Sequence, residues 1–432
     1  MIMFRKVEIS RFKGFGYTKI DLTKLNIFVG ENGTGKSTVA HALSVIKRSA
    51  GGPGINTDLP YINLGSLDKL VTPGEICTLS LEIEENMHIR EPFENPVRCS
   101  LQIDFDLQGL LSQNTELQVG INGSREVIKN KWTRYSGNIP PQQLRISELI
   151  INYSPTNSIG LMFQVLGYLS SRPQNLRTNA DRVKIVEEEV KTYSDLNALL
   201  TNITNIFREK IRVVPVFRGF LEPTYPLMPS TPSELNIRGA MSQAGAAVAA
   251  NLVYGGDASK KKIRHWMKEV VNIDIDWRIT AGPQVAIINP VTENYFVNEG
   301  FGTNQLTFIF AEIANAPPGS LVIIEEPEIH LHPKAQFKFG QLMAKIIKEE
   351  AVQIILNTHS EHIVSGILNS IKKKEITTEE ASIWFFEKEN NLNVTKKSLL
   401  QEDGTSDTGL RTFIEASVLE LKDIIADDGD PQ

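Results

Sequence analysis

The chain has 432 residues, 41% of them hydrophobic, 22% charged and 7% aromatic, and its formal net charge at pH 7 is −6. This length allows two or three domains, or one core with a large insertion, and the charge excludes a protein that coats nucleic acid over its whole surface while leaving room for a local basic stripe. The sequence contains two cysteines, Cys77 and Cys99, and shows neither a secretion segment nor an apolar stretch long enough to cross a bilayer. These features predict a cytoplasmic protein with reduced thiols and no membrane association.

A phosphate-binding loop is predicted near the start, in FVGENGTGKSTVAHAL, residues 28–43. The segment fits G-x-x-x-x-G-K-[ST], follows the strand-like run KLNIFV and leads into a helical pattern, which is the context that this motif requires. Backbone N–H groups and the helix N-terminus would bind phosphate, Lys36 would pair with the β- and γ-phosphates, and Ser37 would hold Mg²⁺. The predicted nucleotide-binding residues of this loop are Gly30, Glu31, Asn32, Gly33, Thr34, Gly35, Lys36, Ser37 and Thr38.

The middle of the chain predicts strands followed by helix. EICTLSLEIEEN and VRCSLQIDFDL alternate apolar and polar residues, which is typical of strands in an antiparallel lobe. From about residue 180 to 212, apolar residues recur every three or four positions, which predicts one helix or a short helical hairpin. The polar cluster MPSTPSELN is predicted to be a loop.

The densest basic run follows. It consists of Lys260, Lys261, Lys262, Arg264 and Lys268, with Trp266 among them. Phosphate contacts beside an aromatic side chain would suit nucleic acid. Because charge runs are commonly the solvated faces of helices, we favour an exposed helical face that Trp266 anchors to the core.

A short buried strand that ends in two carboxylates is predicted in GSLVIIEEPEIHLHP, residues 319–333. Adjacent carboxylates at the end of such a strand are costly unless they meet a cation or have a proton-transfer task. Glu325 is expected to bind Mg²⁺ through water, and Glu326 to orient or deprotonate an attacking water. A strand that simply enters an acidic turn is the alternative.

A second buried strand, in VQIILNTHSEHI, ends just before His359. The helical pattern KAQFKFGQLMAKIIKEE separates it from the acidic strand, so the two predict a βαβ unit whose strand ends lie at one edge of a parallel sheet, where ligands bind. His359 is expected to hydrogen-bond to the γ-phosphate. Further along, ASIWFFEKENNLNVTKKSLL predicts a terminal hairpin.

Together, VEISRFKGF, VGENGTGKST, VNEGFGTNQL, LVIIEEPEIHLHP and ILNTHS resemble the ABC-type ATPases of the SMC/RecF/OLD branch. The resemblance implies that Lys13 reaches the nucleotide phosphates and that two heads enclose ATP head to tail. It also implies a signature segment at NEGFGTNQL, in which Gly302 and Asn304 would contact the γ-phosphate held by the other protomer. The signature serine is absent, so the register is open, and a glycine turn that caps a helix is the alternative.

Two further segments are placed only by this resemblance. VVPVFRGFLEP, residues 213–223, is similar to a segment of the branch but receives no role. The spacing of His330 and His332 would suit a metal, whereas the resemblance implies a loop that faces the dimer partner.

The implied fold is α/β: an ABC-type ATPase head with a mixed or parallel core sheet, an antiparallel β lobe and an inserted helical lobe. Residues 1–170 would form the N-terminal ATPase half with the phosphate loop and the antiparallel lobe. Residues 171–280 would form the helical insertion, and residues 281–432 the C-terminal half with the signature, the acidic strand and the histidine.

The resemblance implies that the protein hydrolyses ATP and thereby controls a separate effector protein. OLD nucleases carry a TOPRIM domain with clustered carboxylates after the ATPase, and no such constellation is visible in this sequence, which is therefore interpreted as an OLD-like ATPase similar to those of antiphage systems such as Septu or PARIS. ATP and Mg²⁺ would be its cofactors, and its partners a second copy and a separate nuclease or toxin. The alternatives are a RecF- or SMC-like ATPase of DNA repair or maintenance that binds DNA directly, and a nucleotide-gated scaffold with little turnover.

Overall fold

The computed structural model describes residues 2–50, 55, 57–59, 62–72, 74–85, 93–107, 109–121, 127–134, 202, 204–228, 241–280 and 282–407. The strands are β1 (Met3–Phe12), β2 (Phe15–Asp21), β3 (Leu25–Gly30), β4 (Cys77–Glu85), β5 (Phe93–Asp106), β6 (Gly109–Ile121), β7 (Val127–Arg134), β8 (Ile211–Val214), β9 (Thr224–Pro226), β10 (Asp276–Thr280), β11 (Gln284–Ile288), β12 (Ser320–Glu325), β13 (Val352–Asn357), β14 (Ala381–Glu389) and β15 (Leu392–Ser398). The α-helices are α1 (Lys36–Ser49), α2 (Met241–Tyr254), α3 (Gly256–Val271), α4 (Phe301–Ala314), α5 (Pro333–Glu349) and α6 (Glu361–Lys372).

One large mixed sheet organises the described residues. Its strand order is β7-β6-β5-β4-β1-β2-β15-β14-β3-β13-β12-β8. From β14 to β8 neighbouring strands run parallel, and from β7 to β2 they run antiparallel. A separate three-stranded antiparallel sheet has the order β10-β11-β9. The expected α/β fold with a parallel core and an antiparallel lobe is confirmed.

The parallel part of the sheet is buried on both faces. Every residue of β12 and of β13 is buried, as expected for strands covered by helices on two sides. Alternate residues of β3 enter different cores: Ile27 and Val29 pack with α2 to α6, while Phe28 packs on the other face with α1. This double burial fixes the strand ends that carry the polar motifs.

Most of the predicted elements are present. The βαβ unit of the acidic and histidine strands is confirmed as β12, α5 and β13, and the alternating segments are confirmed as β4 and β5. Cys77 and Cys99 are both buried and are not joined in a disulfide. The terminal hairpin is confirmed as β14 and β15, but β14 lies inside the sheet beside β3, with its first six residues buried.

Parts of the central prediction lie outside the described residues. These are most of the helical pattern between residues 180 and 212 and most of the MPSTPSELN loop. The last two residues of that pattern, 211 and 212, belong instead to strand β8, which pairs with β12. The boundaries 1–170, 171–280 and 281–432 stay a prediction. In the described part of the chain, no helix has both the length and the apolar character needed to cross a membrane.

Candidate functional site

The three polar motifs meet at one edge of the parallel sheet. β3, β12 and β13 are parallel neighbours, and their register places Glu325 beside Asn357 and Asn357 beside Phe28. The phosphate loop, the acidic turn and the histidine segment each begin where one of these strands ends. Chain segments more than 300 residues apart are therefore brought to the carboxyl edge of one sheet, which is where α/β proteins bind ligands.

The phosphate loop runs from β3 into α1 and depends on glycine where it leaves the strand. Gly30 has a φ of 144°, and a Cβ placed on it would lie 2.2 Å from the carbonyl oxygen of Phe386 in β14. No other residue type fits between these two backbones. In the loop itself, Glu31, Asn32 and Gly33 are exposed, and the Thr34 hydroxyl donates to the Glu31 carbonyl at 2.8 Å. Gly35 is the residue that precedes α1, and Thr38 lies in its first turn.

Lys36 is folded back onto this loop. Its ammonium group donates to the carbonyl oxygens of Gly30 at 2.7 Å and Glu31 at 2.8 Å. Burial lowers the pKa of Lys36 to about 8, against the opposing effect of nearby glutamates. Among the described residues, the hydrogen-bond partners of Lys36 are carbonyl oxygens. A buried charge with such partners is well placed to exchange them for phosphate oxygens.

Ser37 and Glu325 lie beside each other. Burial raises the pKa of Glu325 to about 7, and the neighbouring Ser37 side chain opposes this shift. Glu325 Oε1 is buried and has no hydrogen-bond partner in the described part of the chain. A serine oxygen beside a carboxylate with a free oxygen is a donor set of the kind that Mg²⁺ prefers, so these residues fit the predicted metal ion.

Glu326 occupies a turn that is held in a left-handed conformation. Its φ is 44°, a region that side chains other than glycine rarely adopt. Its N–H donates to the Asn357 carbonyl at 2.8 Å, and its own carbonyl accepts from Arg218 at 2.9 Å. The turn is therefore fixed from both sides, and its strain is a property that functional sites commonly retain.

Glu328 joins the acidic turn to the histidine segment. Its carboxylate accepts hydrogen bonds from the Thr358 hydroxyl at 2.8 Å and from the His359 N–H at 2.5 Å. Burial raises the pKa of Glu328 and lowers that of His359. His359 is thus held beside the phosphate loop, where the Lys36 charge also lowers its pKa. The sequence interpretation gave Glu328 no role, although it lies in the quoted motif.

Lys13 lies in the turn between β1 and β2 and contacts α1. Its Nζ is 2.9 Å from His41 Nδ1, and burial lowers the pKa of His41 to about 3, which makes the imidazole a neutral acceptor. Burial also lowers the pKa of Lys13, while Glu325 opposes this shift. The structure therefore brings Lys13 to the same site, and its contact with phosphate stays a prediction.

The signature segment runs into α4, which already begins at Phe301, inside this segment. Gly302 packs so closely on the acidic loop that a Cβ there would lie 2.3 Å from the His330 carbonyl oxygen. Asn304 is buried, and its amide both accepts from the Phe220 N–H at 2.6 Å and donates to the Phe220 carbonyl at 2.8 Å. The structure thus gives Asn304 a partner within the chain, and the nucleotide contacts of Gly302 and Asn304 stay predictions.

The basic run lies on α3 and is largely neutralised. Trp266 is buried, which confirms the anchored helical face. Four of the five basic side chains have acidic partners: Lys260 with Asp276, Lys262 with Glu350, and both Arg264 and Lys268 with Asp274.

The spacing of His330 and His332 was the other hypothesis for a metal site. His332 caps α5 by accepting from the Lys334 N–H. No group of three or more metal-binding side chains occurs among the residues that the structure covers.

Sequence comparison gives a family and one partial relative. The chain matches the family described as "AAA ATPase domain" over residues 3–211 and 261–364, well over half of its length. It is also 33% identical to an "ATP/GTP phosphatase" of Helicobacter pylori (strain ATCC 700392 / 26695) over 104 residues, which are 24% of this chain and 28% of that protein. The match therefore spans little more than a quarter of the relative.

Structure comparison finds heads of SMC proteins. An SMC head domain from Thermotoga maritima is 12% identical with a TM-score of 0.39, over 91% of this chain and 98% of that one. An Smc head domain bound to the C-terminal domain of ScpA, derived from Pyrococcus furiosus, is 13% identical with a TM-score of 0.43, over 98% and 100% of the two chains. These weak likenesses contribute nothing to the assignment of the site.

Proposed function

The chain belongs to the AAA ATPase domain family, and from that premise we propose that it is a cytoplasmic ATP-driven switch. Two copies close head to tail around ATP, and hydrolysis controls a separate effector protein, a nuclease or a toxin, in antiphage defence. The observation that carries the hydrolytic part is the convergence of Lys36, the Ser37–Glu325 pair, Glu326 and His359 at one sheet edge. The effector part rests on the resemblance to OLD-like ATPases.

Each residue has a task that its surroundings support. Lys36 leaves its loop carbonyls for the β- and γ-phosphates, which offset the cost of its burial. Ser37 and Glu325 would hold Mg²⁺, whose chemistry there would be to neutralise charge on the phosphates. Glu326 orients the attacking water or takes its proton. His359, fixed through its own N–H by Glu328, hydrogen-bonds to the γ-phosphate.

The surface of the signature segment supports closure by a second copy. Gly300 and Phe301, at the start of α4, are exposed, and they line a groove of about 570 Å³. The N-terminus of a helix attracts anions through its unpaired N–H groups and its dipole. The γ-phosphate bound to the partner would reach this helix end in a head-to-tail dimer.

The first test uses Glu326→Gln, which keeps the shape of the side chain and removes its basicity. The wild type is expected to hydrolyse ATP, and the variant to lose about 10²-fold or more in kcat while forming an ATP-dependent dimer that light scattering detects. Glu349→Gln, at an exposed position, is the matched control and should behave as wild type. Unchanged turnover in Glu326→Gln would remove this residue as the base.

The second test separates effector control from DNA maintenance. The tagged chain and its Glu326→Gln variant are purified from the native host, and the co-purifying species are identified and quantified. A stoichiometric nuclease or toxin supports effector control. A homo-oligomer that carries DNA, with affinity that falls steeply with salt, favours the RecF- or SMC-like alternative. A scaffold with little turnover would show neither a DNA dependence nor a loss of rate in the variant.

A further inference from the structure

Arg218 is a buried cation beside the acidic turn at residues 325–328. The proposed mechanism gives this cation no role. It lies in the segment after β8, is 1% exposed, and donates to three backbone carbonyls: Pro215 at 2.6 Å, Glu325 at 2.8 Å and Glu326 at 2.9 Å. One nitrogen, Nε, has no partner among the described residues.

These bonds are unusual because a buried cation ordinarily pairs with a carboxylate. Burial lowers the pKa of Arg218 to about 10, and three acidic residues, Glu328, Glu325 and Glu326, oppose this shift by their charge. The guanidinium group nevertheless donates to main-chain oxygens and to none of these three carboxylates. The planar guanidinium group donates to two successive carbonyls and so fixes the path of the backbone between them.

The segment that carries Arg218 is itself fixed at its far end. Two residues further on, the N–H and the carbonyl of Phe220 both bond to the buried amide of Asn304 in α4. Gly219, between them, has a φ of 136°. Arg218 therefore stands between the acidic turn and the signature helix, and each end of its segment is attached by two or more hydrogen bonds.

We propose that Arg218 is a positioning residue for ATP hydrolysis: by holding the carbonyls of Glu325 and Glu326, it keeps the strained turn in the one conformation that directs the Glu326 carboxylate at the γ-phosphate. This inference rests on the proposed hydrolytic function. The hydrogen bonds of Arg218 all go to main-chain carbonyls, so Arg218 acts through the turn. Its loss should therefore slow the chemical step and leave nucleotide binding, which depends on the phosphate loop, nearly unchanged.

The test is Arg218→Lys in the full chain, because an ammonium group keeps the charge but cannot span the carbonyls as a fork does. We expect kcat to fall about 100-fold, as displacement of a catalytic group by about 1 Å does, with KM for ATP and the Kd for a fluorescent ATP analogue both changed less than about threefold. Arg212→Lys is the matched control, since Arg212 is partly buried and pairs with Glu312 of α4 at 2.9 Å, away from the turn; it should keep the wild-type kcat.

The outcomes separate the two proposals. If the wild type does not hydrolyse ATP, the proposed function fails and the inference fails with it. If the wild type turns over and Arg218→Lys does so at a similar rate, only the inference is overturned. If Arg218→Lys loses nucleotide binding or cooperative unfolding, Arg218 supports the whole site and its positioning role is overturned as well. Arg218→Gln gives the same comparison without the charge and should be at least as slow as Arg218→Lys.

Discussion

Glu325→Gln is expected to stabilise the nucleotide-free, metal-free protein at alkaline pH and to do so much less near pH 5. Glu325 is 6% exposed at the end of a fully buried strand, and burial raises its pKa from an ordinary 4.5 to about 7. A carboxyl group whose folded-state pKa lies above its unfolded-state pKa costs stability when it is ionised. That cost is absent well below the unfolded value and is complete above the folded one.

The magnitude follows from the size of the shift. A rise from 4.5 to about 7 corresponds to a cost of about 3 kcal/mol above pH 7, at roughly 1.4 kcal/mol per pKa unit. Glutamine has no charge to bury, so the variant escapes this cost at every pH. The gain in the free energy of unfolding should therefore be larger at pH 8.5 than at pH 5 by about 2 kcal/mol.

The assay is urea unfolding of wild type and variant at both pH values, in EDTA and without nucleotide. The difference between the two pH values cancels any constant effect of the amide group on packing. Asp274→Asn serves as a control of opposite sign, because the hydrogen bond from Arg264 holds the pKa of Asp274 well below its usual range. The Asp274 charge therefore stabilises the fold above the unfolded pKa, and its removal should destabilise the protein at pH 8.5.

One result would refute this reasoning directly: a Glu325→Gln gain that is equal at pH 5 and pH 8.5, or larger at pH 5. Either outcome would mean that the Glu325 carboxylate is not penalised by burial in the free protein. Addition of Mg²⁺ and ATP should reduce the advantage of the variant, since a bound cation favours the ionised carboxylate.

Three further predictions concern the neighbouring motifs. Lys36→Ala is expected to weaken binding of a fluorescent ATP analogue about tenfold or more, since a charge-assisted hydrogen bond contributes roughly 1.5–3 kcal/mol; unchanged affinity would remove Lys36 from the site. Glu328→Gln should reduce kcat about tenfold with little change in KM, because the bonds that fix the His359 segment weaken; a change in KM alone would contradict this. Gly302→Ala should cost about 1–3 kcal/mol in denaturant unfolding, because a Cβ there meets a carbonyl oxygen at 2.3 Å, whereas Gly300→Ala, whose nearest atom is 3.9 Å away, should be nearly neutral.

The sequence predicts those parts of the site whose chemistry lies at the end of a strand. Residues 30–38, Glu325 with Glu326, and His359 each follow a short apolar run, and a parallel sheet brings the carboxyl ends of such runs to one edge. Local pattern and general topology suffice for that inference. This is why the βαβ unit and its shared edge are confirmed, while the roles of the individual side chains stay predictions.

Arg218 was missed for a physical reason. It lies 107 residues before Glu325 in the chain, and its partners are main-chain carbonyls. The sequence therefore shows no complementary pair of side chains that would indicate this contact. Glu328 was missed differently. The EEPE motif presents three carboxylates, and only the left-handed turn at Glu326 decides that Glu328 points toward the histidine segment. The position of β14 beside β3 likewise depends on non-local contacts, because a buried apolar run does not indicate which strand will pair with it.

The buried charges of the nucleotide-free site favour binding of Mg²⁺ and ATP together. Lys36 carries a burial cost as a cation and Glu325 carries one as an anion, and neither has the other as its direct hydrogen-bond partner among the described residues. ATP alone would offset only the first cost, and Mg²⁺ alone only the second. In the proposed function, the Mg²⁺–ATP complex would offset both costs together, because its phosphates would meet Lys36 and its cation would meet Ser37 and Glu325. The protein should therefore bind the complex more tightly than the separate affinities predict, which makes the loaded state a coupled two-ligand event of the kind that a switch requires.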